Sequence, residues 1–253
     1  MEYSGSSPPM CLGGLGWRSP VLMVRVIGHR GAAGLEPENT LRSVRRAILL
    51  GVDEVEIDIR VSKDGFPVVI HDETVDRTTD GHGYVRDLTL NEIKNLDAGK
   101  GEHIPTLGEI LDLTQGKVIL QIELKVPEAL KPVMEVIKRR SAEEDVVITS
   151  FIHRLLADVY RINPRVATGA IFSRVQEDVF KRVIGVHARW AYINYRNVDA
   201  GLIREAHERG LMFGVWTVDQ VDDMRRMVEL GVDAIGTNRP DILIRLLKSM
   251  GTP

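Results

Sequence analysis

The sequence contains a single cysteine, Cys11, in 253 residues. A disulfide needs two cysteines, so an internal disulfide framework is excluded, and we expect a reducing, cytoplasmic location. Aromatic residues make up only 5% of the chain, and no apolar run reaches the roughly 20 residues that a membrane-spanning helix requires. We therefore expect no stable membrane insertion.

An excess of basic residues is also missing: 33 lysines and arginines face 36 aspartates and glutamates, for a net charge of -3. Nucleic-acid-binding proteins usually carry clustered positive charge, so we expect no nucleic-acid partner.

Two sequence motifs of other enzyme and nucleotide-binding folds are absent as well. There is no Gly-x-Ser-x-Gly motif, and no Gly-rich phosphate loop follows the first predicted strand. The second absence argues against a doubly wound nucleotide-binding sheet.

Residues 1–23 differ in composition from the rest of the chain. They are rich in glycine, proline and serine, and they lack the basic start and the apolar core of a secretory signal. We predict a flexible N-terminal extension, with Met23 as an alternative start of translation. The remaining residues, 24–253, contain no Ser/Pro-rich linker and are predicted to form one catalytic domain.

From residue 24 onward, short β-branched runs alternate with segments that carry apolar residues at helical spacing. Eight such runs are typical of buried parallel strands, and a predicted helix follows each of them. This order predicts an α/β fold, the (β/α)8 TIM barrel. The predicted strands cover residues 24–28, 54–59, 118–124, 146–151, 168–172, 190–194, 211–216 and 233–237.

One further run, residues 66–73, interrupts this alternation. It follows the turn residues Lys63-Asp64-Gly65, so we predict a hairpin with the second strand. A polar segment at about residues 73–104 comes next, with a short helix predicted at residues 90–96. Irregular insertions of this length usually form a lid or a substrate wall, and a plain surface excursion is the alternative.

Acidic side chains recur on two neighbouring predicted strands. Glu56 and Asp58 are two residues apart, so they share one face of their strand, and Glu123 should lie level with them on the next one. Burying three carboxylates together is costly without a cation, and oxygen ligands suit Mg²⁺ or Ca²⁺, with Mn²⁺ also acceptable. We predict a metal site at this carboxylate triad. The alternative is a salt-bridge cluster with basic side chains nearby, namely Arg30, Arg60 and Lys125.

Two histidines are predicted at the same end of the barrel, where catalytic groups of such folds lie. His29 and Arg30 follow the first strand, and His71 ends the returning arm of the hairpin. Imidazoles can serve as general acid and base, while Arg30 and Lys125 can neutralise phosphate oxygens. Trp216, at the end of a strand, is a candidate wall for an apolar or polyol group, although core packing explains it equally well. The pattern is typical of a phosphodiester site.

The motifs that carry these residues resemble those of the glycerophosphodiester phosphodiesterases. They are His29-Arg30-Gly31, Glu38-Asn39-Thr40, VEIDIRVSKDGFPVVIHDETVDRTT, IELK, GVWTVD and GVDAIGTNRP. The resemblance covers nearly the whole chain from residue 24 onward. It implies a (β/α)8 barrel with a small insertion after the second strand, and hydrolysis of glycerophosphodiesters to sn-glycerol 3-phosphate and an alcohol.

The resemblance further implies that the carboxylate triad binds a divalent metal and that His29 and His71 are the catalytic pair. Arg30 and Lys125 would hold phosphate, and the insertion would cover the glycerol side. The sequence departs from the family at Asn238, where relatives commonly carry an aspartate. A lysophospholipase D that accepts a lipid tail and a non-catalytic barrel that binds a phosphorylated small molecule are the alternatives. The polar insertion favours small head groups, and a homodimer is left open.

Overall fold

The computed structural model describes residues 24–175 and 178–251. The predicted extension, residues 1–23 with Cys11, lies outside the described residues, as do residues 176 and 177 in the segment where a helix is predicted after the strand at residues 168–172. The strands are β1 (Arg25–Gly28), β2 (Glu54–Val61), β3 (Pro67–Val69), β4 (Ile119–Leu124), β5 (Val146–Ser150), β6 (Ala167–Phe172), β7 (Trp190–Asn194), β8 (Met212–Trp216) and β9 (Ala234–Thr237).

Nine α-helices occur in the described ranges, together with 3-10 turns at Val85–Asp87, Pro127–Ala129 and Tyr195–Asn197. The helices are α1 (Leu41–Leu50), α2 (Leu90–Lys94), α3 (Leu107–Thr114), α4 (Leu130–Arg140), α5 (Arg154–Ile162), α6 (Val179–Gly185), α7 (Ala200–Glu208), α8 (Val221–Leu230) and α9 (Pro240–Ser249). None of these helices is long and apolar enough to cross a membrane.

Eight of the strands form a closed parallel barrel. Strands β4 to β9 pair in sequence, β9 pairs with β1, and β1 pairs with β2, which in turn pairs with β4. The predicted (β/α)8 barrel is therefore confirmed. β3 stands outside the ring and pairs antiparallel with the far end of β2, as the predicted hairpin requires.

Strand β2 shows why these segments become buried on both faces. Val55, Ile57 and Ile59 point outward and pack in the core between the barrel and its helices. Glu54, Glu56 and Asp58 alternate with them and therefore point into the barrel. The apolar outer face packs against the helix layer and so fixes the orientation of the strand. The acidic side chains on its opposite face must therefore point into the barrel interior.

Large aromatic side chains fill the lower part of the barrel interior. Trp190 and Tyr192 are fully or almost fully buried and stack with ring centroids 5.3 Å apart. The tyrosine ring fits because two neighbouring strands carry glycine at its level. A Cβ atom would lie 2.5 Å from the ring at Gly169 and 2.4 Å from it at Gly214. This layer forms a solid floor, so any cavity can open only at the carboxyl ends of the strands.

The segment between β3 and α3 has a small hydrophobic cluster of its own. The cluster joins the hairpin to the predicted insertion and consists of Val68, Ile70, Val75, Val85, Ile93, Ala98 and Ile104. Helix α2 is preceded by the N-cap residue Thr89, whose side chain forms a capping box with Glu92. The insertion is thus packed against β3 beside the barrel, next to the carboxyl end of β2.

Candidate active site

The turn after β1 places His29 and Arg30 over the barrel. Arg30 and Gly31 both adopt left-handed backbone conformations, with φ values of 51° and 84°. This conformation points the Arg30 N–H at Glu56 Oε2, 2.9 Å away. A side chain at Gly31 would place Cβ 2.5 Å from the backbone of Ser43 in α1. The glycine therefore lets the turn pack tightly under the helix.

The carboxylate triad, Glu56, Asp58 and Glu123, meets at the mouth of the barrel. In the β2–β4 register Asp58 lies opposite Glu123, and one oxygen from each of the three residues lies within 4.8 Å of the others. Burial and the charge of Asp58 raise the pKa of Glu56 to about 8 and that of Glu123 to about 7. Although burial opposes the shift, Lys125 and Arg30 lower the pKa of Asp58.

Two of the three predicted basic neighbours contact the triad. Arg30 Nε lies 3.2 Å from Asp58 Oδ2, and Lys125 Nζ lies 2.6 Å from Glu123 Oε1 and 3.4 Å from Asp58 Oδ1. Arg60 does not join them, because its Nε donates to the carbonyl of His71 at 2.8 Å. The salt-bridge alternative is therefore present in part, but when all three carboxylates are ionised, two cations leave one buried negative charge without a partner.

The remaining charge makes the triad suitable for a divalent cation. The Oε1 atom of Glu56 is buried and has no hydrogen-bond partner. A buried oxygen without a donor is costly, and a hard metal ion would satisfy it while cancelling the excess charge. With a doubly charged ion the group would carry a net charge of about +1, from three carboxylates, two basic side chains and the metal, which complements a phosphodiester monoanion. The donor set fits the predicted metal.

The His29 ring is held by an amide. Its Nδ1 lies 2.8 Å from Oδ1 of Asn238, whose Nδ2 donates to Asp219 Oδ2 at 2.7 Å. Because the Asn238 amide nitrogen is used in this way, its oxygen must accept from His29, and Nδ1 carries the proton. The free Nε2 lies 3.9 Å from Glu56 Oε2. Burial, with a further contribution from Arg30, lowers the pKa of His29.

The His71 ring is held by a carboxylate instead. Its Nδ1 lies 2.6 Å from Oδ1 of Asp72, the next residue in the chain. Burial lowers the pKa of His71, against the opposing effects of Asp58 and Asp72. His71 is more exposed than His29, with 35% of its side chain accessible compared with 19%. Both rings leave Nε2 free of protein hydrogen bonds in the described residues.

A cavity of about 260 Å³ opens between the two histidines. Seven of the eight predicted site residues line it, and the eighth, Asp58, is only 1% exposed and lies behind the others. Trp216 packs edge-on against Phe151, with ring centroids 5.5 Å apart. The residues lining the cavity are Ile27, His29, Arg30, Glu56, His71, Gln121, Glu123, Lys125, Phe151, Ile171, Tyr192, Val215, Trp216 and Gly236.

Residues that our sequence reasoning left without a role support this site. Glu38 accepts a hydrogen bond from Arg30 Nη1 at 2.7 Å, and Asn39 Nδ2 donates to Asp58 Oδ2 at 2.9 Å. Thr40 caps α1 by accepting from the N–H of Ser43. A threonine directly before a helix is typical of an N-cap, so this role could have been read from the sequence. The other two roles depend on where the loop passes the neighbouring strand.

Residues 29–242 match the sequence profile of the Glycerophosphoryl diester phosphodiesterase family. The chain belongs to this family. The matched region includes all eight predicted site residues. A glycerophosphodiester phosphodiesterase of Caldanaerobacter subterraneus is 40% identical over 239 residues, which cover 89% of this chain and 98% of that protein.

Solved structures of glycerophosphoryl diester phosphodiesterase relatives share the barrel. A putative member from Silicibacter pomeroyi superimposes with a TM-score of 0.85 at 31% identity, covering 90% of this chain and 94% of that one. A phosphodiesterase from Oleispira antarctica, solved in complex with the product sn-glycerol-3-phosphate, gives a TM-score of 0.85 at 28% identity, over 89% of this chain and 97% of that one.

Proposed function

We propose that this protein is a metal-dependent phosphodiesterase that hydrolyses glycerophosphodiesters to sn-glycerol 3-phosphate and an alcohol. The observation that carries the proposal is the buried carboxylate triad with an imidazole on either side of one cavity. Family membership supports the substrate class, as does the product bound by the Oleispira antarctica relative.

The carboxylate triad would hold one divalent cation, Mg²⁺ or Ca²⁺, with Mn²⁺ as a further candidate. When bound, the ion would supply positive charge to the phosphate oxygens and thereby stabilise the charge that develops in the transition state. Arg30 and Lys125 line the same cavity and can add donors to the same oxygens. They also lower the pKa of Asp58, so this one ligand is ionised before the ion binds.

The two histidines would transfer protons on opposite sides of the phosphorus. His29 is buried and paired with a neutral amide, so its Nε2 suits a proton acceptor for the attacking hydroxyl. His71 is paired with a carboxylate, which opposes the lowering of its pKa by burial and suits a donor to the departing alcohol oxygen. One P–O bond forms and one breaks. The attacking oxygen belongs either to water or to the glycerol 2-hydroxyl, which would give a cyclic phosphate first.

The apolar side of the cavity would hold the carbon skeleton of the substrate. Trp216 and Phe151 form this side at the mouth, above the floor made by Tyr192. A cavity of about 260 Å³ suits a glycerol-sized group, which favours small head groups over the lysophospholipase D alternative. The cytoplasmic location and the homodimer remain predictions.

Purified protein loaded with Mg²⁺, Ca²⁺ or Mn²⁺ should release sn-glycerol 3-phosphate from glycerophosphodiesters. Phosphorus NMR on a panel that includes a lysophospholipid would identify the head group, the preferred ion and any cyclic phosphate.

His29→Ala and His71→Ala should each lower kcat by at least about 100-fold. His82→Ala, which alters an exposed histidine of the insertion, is the matched control. Full activity in either site variant would overturn the roles, and binding without turnover would favour a non-catalytic barrel.

A further inference from the structure

Arg77 belongs to the Asp76-Arg77-Thr78-Thr79 stretch of the insertion, a motif to which the proposed reaction assigns no role. Its guanidinium group contacts two carboxylates at once. Nε and Nη2 donate to Asp72 at 2.6 and 3.1 Å, and Nη1 and Nη2 donate to Glu38 at 2.9 and 2.8 Å. Two bidentate contacts from a single guanidinium group fix both carboxylate planes relative to each other.

Each of these carboxylates holds a residue of the site. Asp72 contacts Nδ1 of His71 at 2.6 Å, and Glu38 accepts from Nη1 of Arg30 at 2.7 Å. His71 comes from the hairpin, whereas Arg30 comes from the turn after β1. Arg77 is therefore the central member of a chain of five side chains that runs from one side of the cavity to the other.

Arg77 does not line the cavity itself among the described residues. All four of its hydrogen bonds are made to carboxylates, so it offers the substrate no donor that is already aimed at the site. Its side chain is also about half exposed, and exposed ion pairs contribute little to folding stability. This placement of Arg77 supports neither a role in binding substrate nor a role in stabilising the fold.

We propose that Arg77 is a positioning residue that aligns His71 with Arg30 by holding their carboxylate partners, an inference that rests on the proposed function. His71 lies at the exposed side of the cavity, where an unrestrained Asp72 could rotate away from the ring. Loss of that contact would free Nδ1 and allow the proton to move to Nε2. The ring would then present a different tautomer to the substrate.

The test compares Arg77→Ala and Arg77→Lys with the wild-type enzyme. A small displacement of a catalytic group can cost about 100-fold in rate, so we expect Arg77→Ala to lower kcat by about 10- to 100-fold. KM, the metal Kd and the urea midpoint should stay close to wild type. Lysine lacks the planar fork and should restore only part of the rate, while added guanidinium at millimolar concentration should restore activity to the alanine variant.

Arg140→Ala is the matched control. It removes another pair of guanidinium hydrogen bonds, at 3.0 and 3.2 Å to Asp112, between α4 and α3 and away from the cavity. We expect unchanged kcat. A double-mutant cycle adds the decisive comparison, because Arg77→Ala should cost much less in an Asp72→Asn or a Glu38→Gln background than in the wild type. Additive effects would show that Arg77 does not act through its carboxylates.

Two further results would also overturn the proposal: a raised KM at unchanged kcat, which indicates direct substrate binding, and a collapsed urea midpoint, which indicates a structural role. Nitrogen-15 NMR of the His71 ring separates this inference from the proposed function, because it needs no turnover. At pH 8.5 the wild-type ring should show the Nδ1–H tautomer, and Arg77→Ala should show a mixture. An unchanged spectrum would refute the positioning role even in an active enzyme.

Discussion

Metal affinity should depend strongly on pH, because two members of the carboxylate triad bind protons that a metal must displace. Burial raises the pKa of Glu56 to about 8 and that of Glu123 to about 7. An ion that binds only the ionised pair should gain about 100-fold in affinity, or about 2.7 kcal/mol, between pH 6.5 and 8.5 if the two groups titrate near these pKa values. His29 and His71 have lowered pKa values, so they contribute little in this window.

Isothermal titration calorimetry with Mg²⁺ or Ca²⁺ measures this dependence, and repeating it in buffers of different ionisation enthalpy counts the protons released. About two protons should leave at pH 6.5 and fewer than one at pH 8.5. Glu73→Gln, which neutralises an exposed carboxylate next to the site, should preserve the dependence. A change of less than about threefold in wild-type affinity would refute the argument, since it would mean that Arg30 and Lys125 already keep the triad ionised.

The same pKa shifts act on folding stability in the absence of metal. A buried carboxyl whose folded pKa lies above its unfolded value retains a proton that the unfolded chain has released. For Glu56 this window runs from the ordinary pKa of 4.5 to about 8. Across it, rising pH favours the unfolded chain, which has already released its proton, so the metal-free fold loses stability. The urea midpoint of chelated protein should therefore fall as pH rises through this range, and added metal should reverse the loss.

Two substitutions test the packing and the support of the site. Gly214→Ala places a Cβ atom 2.4 Å from the buried tyrosine ring, so it should destabilise the fold by about 1–3 kcal/mol in urea unfolding. Gly185→Ala, in open space on α6, should show no loss, and equal midpoints would contradict the clash. Asn39→Ala removes a hydrogen bond to Asp58, so calorimetry should show metal affinity about 10- to 100-fold weaker. Unchanged affinity would contradict the supporting role.

The barrel could be predicted because its pattern is local and repetitive. Eight β-branched runs alternate with helical segments, and the structure has a parallel strand at each of them. Strand ends were less exact, since β3 spans only Pro67–Val69 where residues 66–73 were expected. The chain turns from β3 into the insertion soon after Val69, and Ile70 packs there in the small cluster with Val75 and Ile93.

The candidate site was predictable to the extent that it lies on strands. Side chains two residues apart on a strand share a face, so the sequence alone brings Glu56 and Asp58 together. Supporting residues in loops could not be placed in this way. Asp219 contacts Asn238 across two loops, and Glu38 meets Arg77 across 39 residues. Contacts of this kind depend on how the loops pass each other above the barrel.

The sequence by itself determined the alternation of strands and helices, the acidic inner face of β2 and the presence of two histidines at strand ends, because periodicity and order are properties of the chain. The tertiary structure decided that Asp58 faces Glu123, since a one-residue slip between β2 and β4 would turn every side chain to the opposite face. It also decided that the amide of Asn238 holds His29. This partner is fixed by barrel closure, which brings residues more than 200 positions apart within hydrogen-bonding distance.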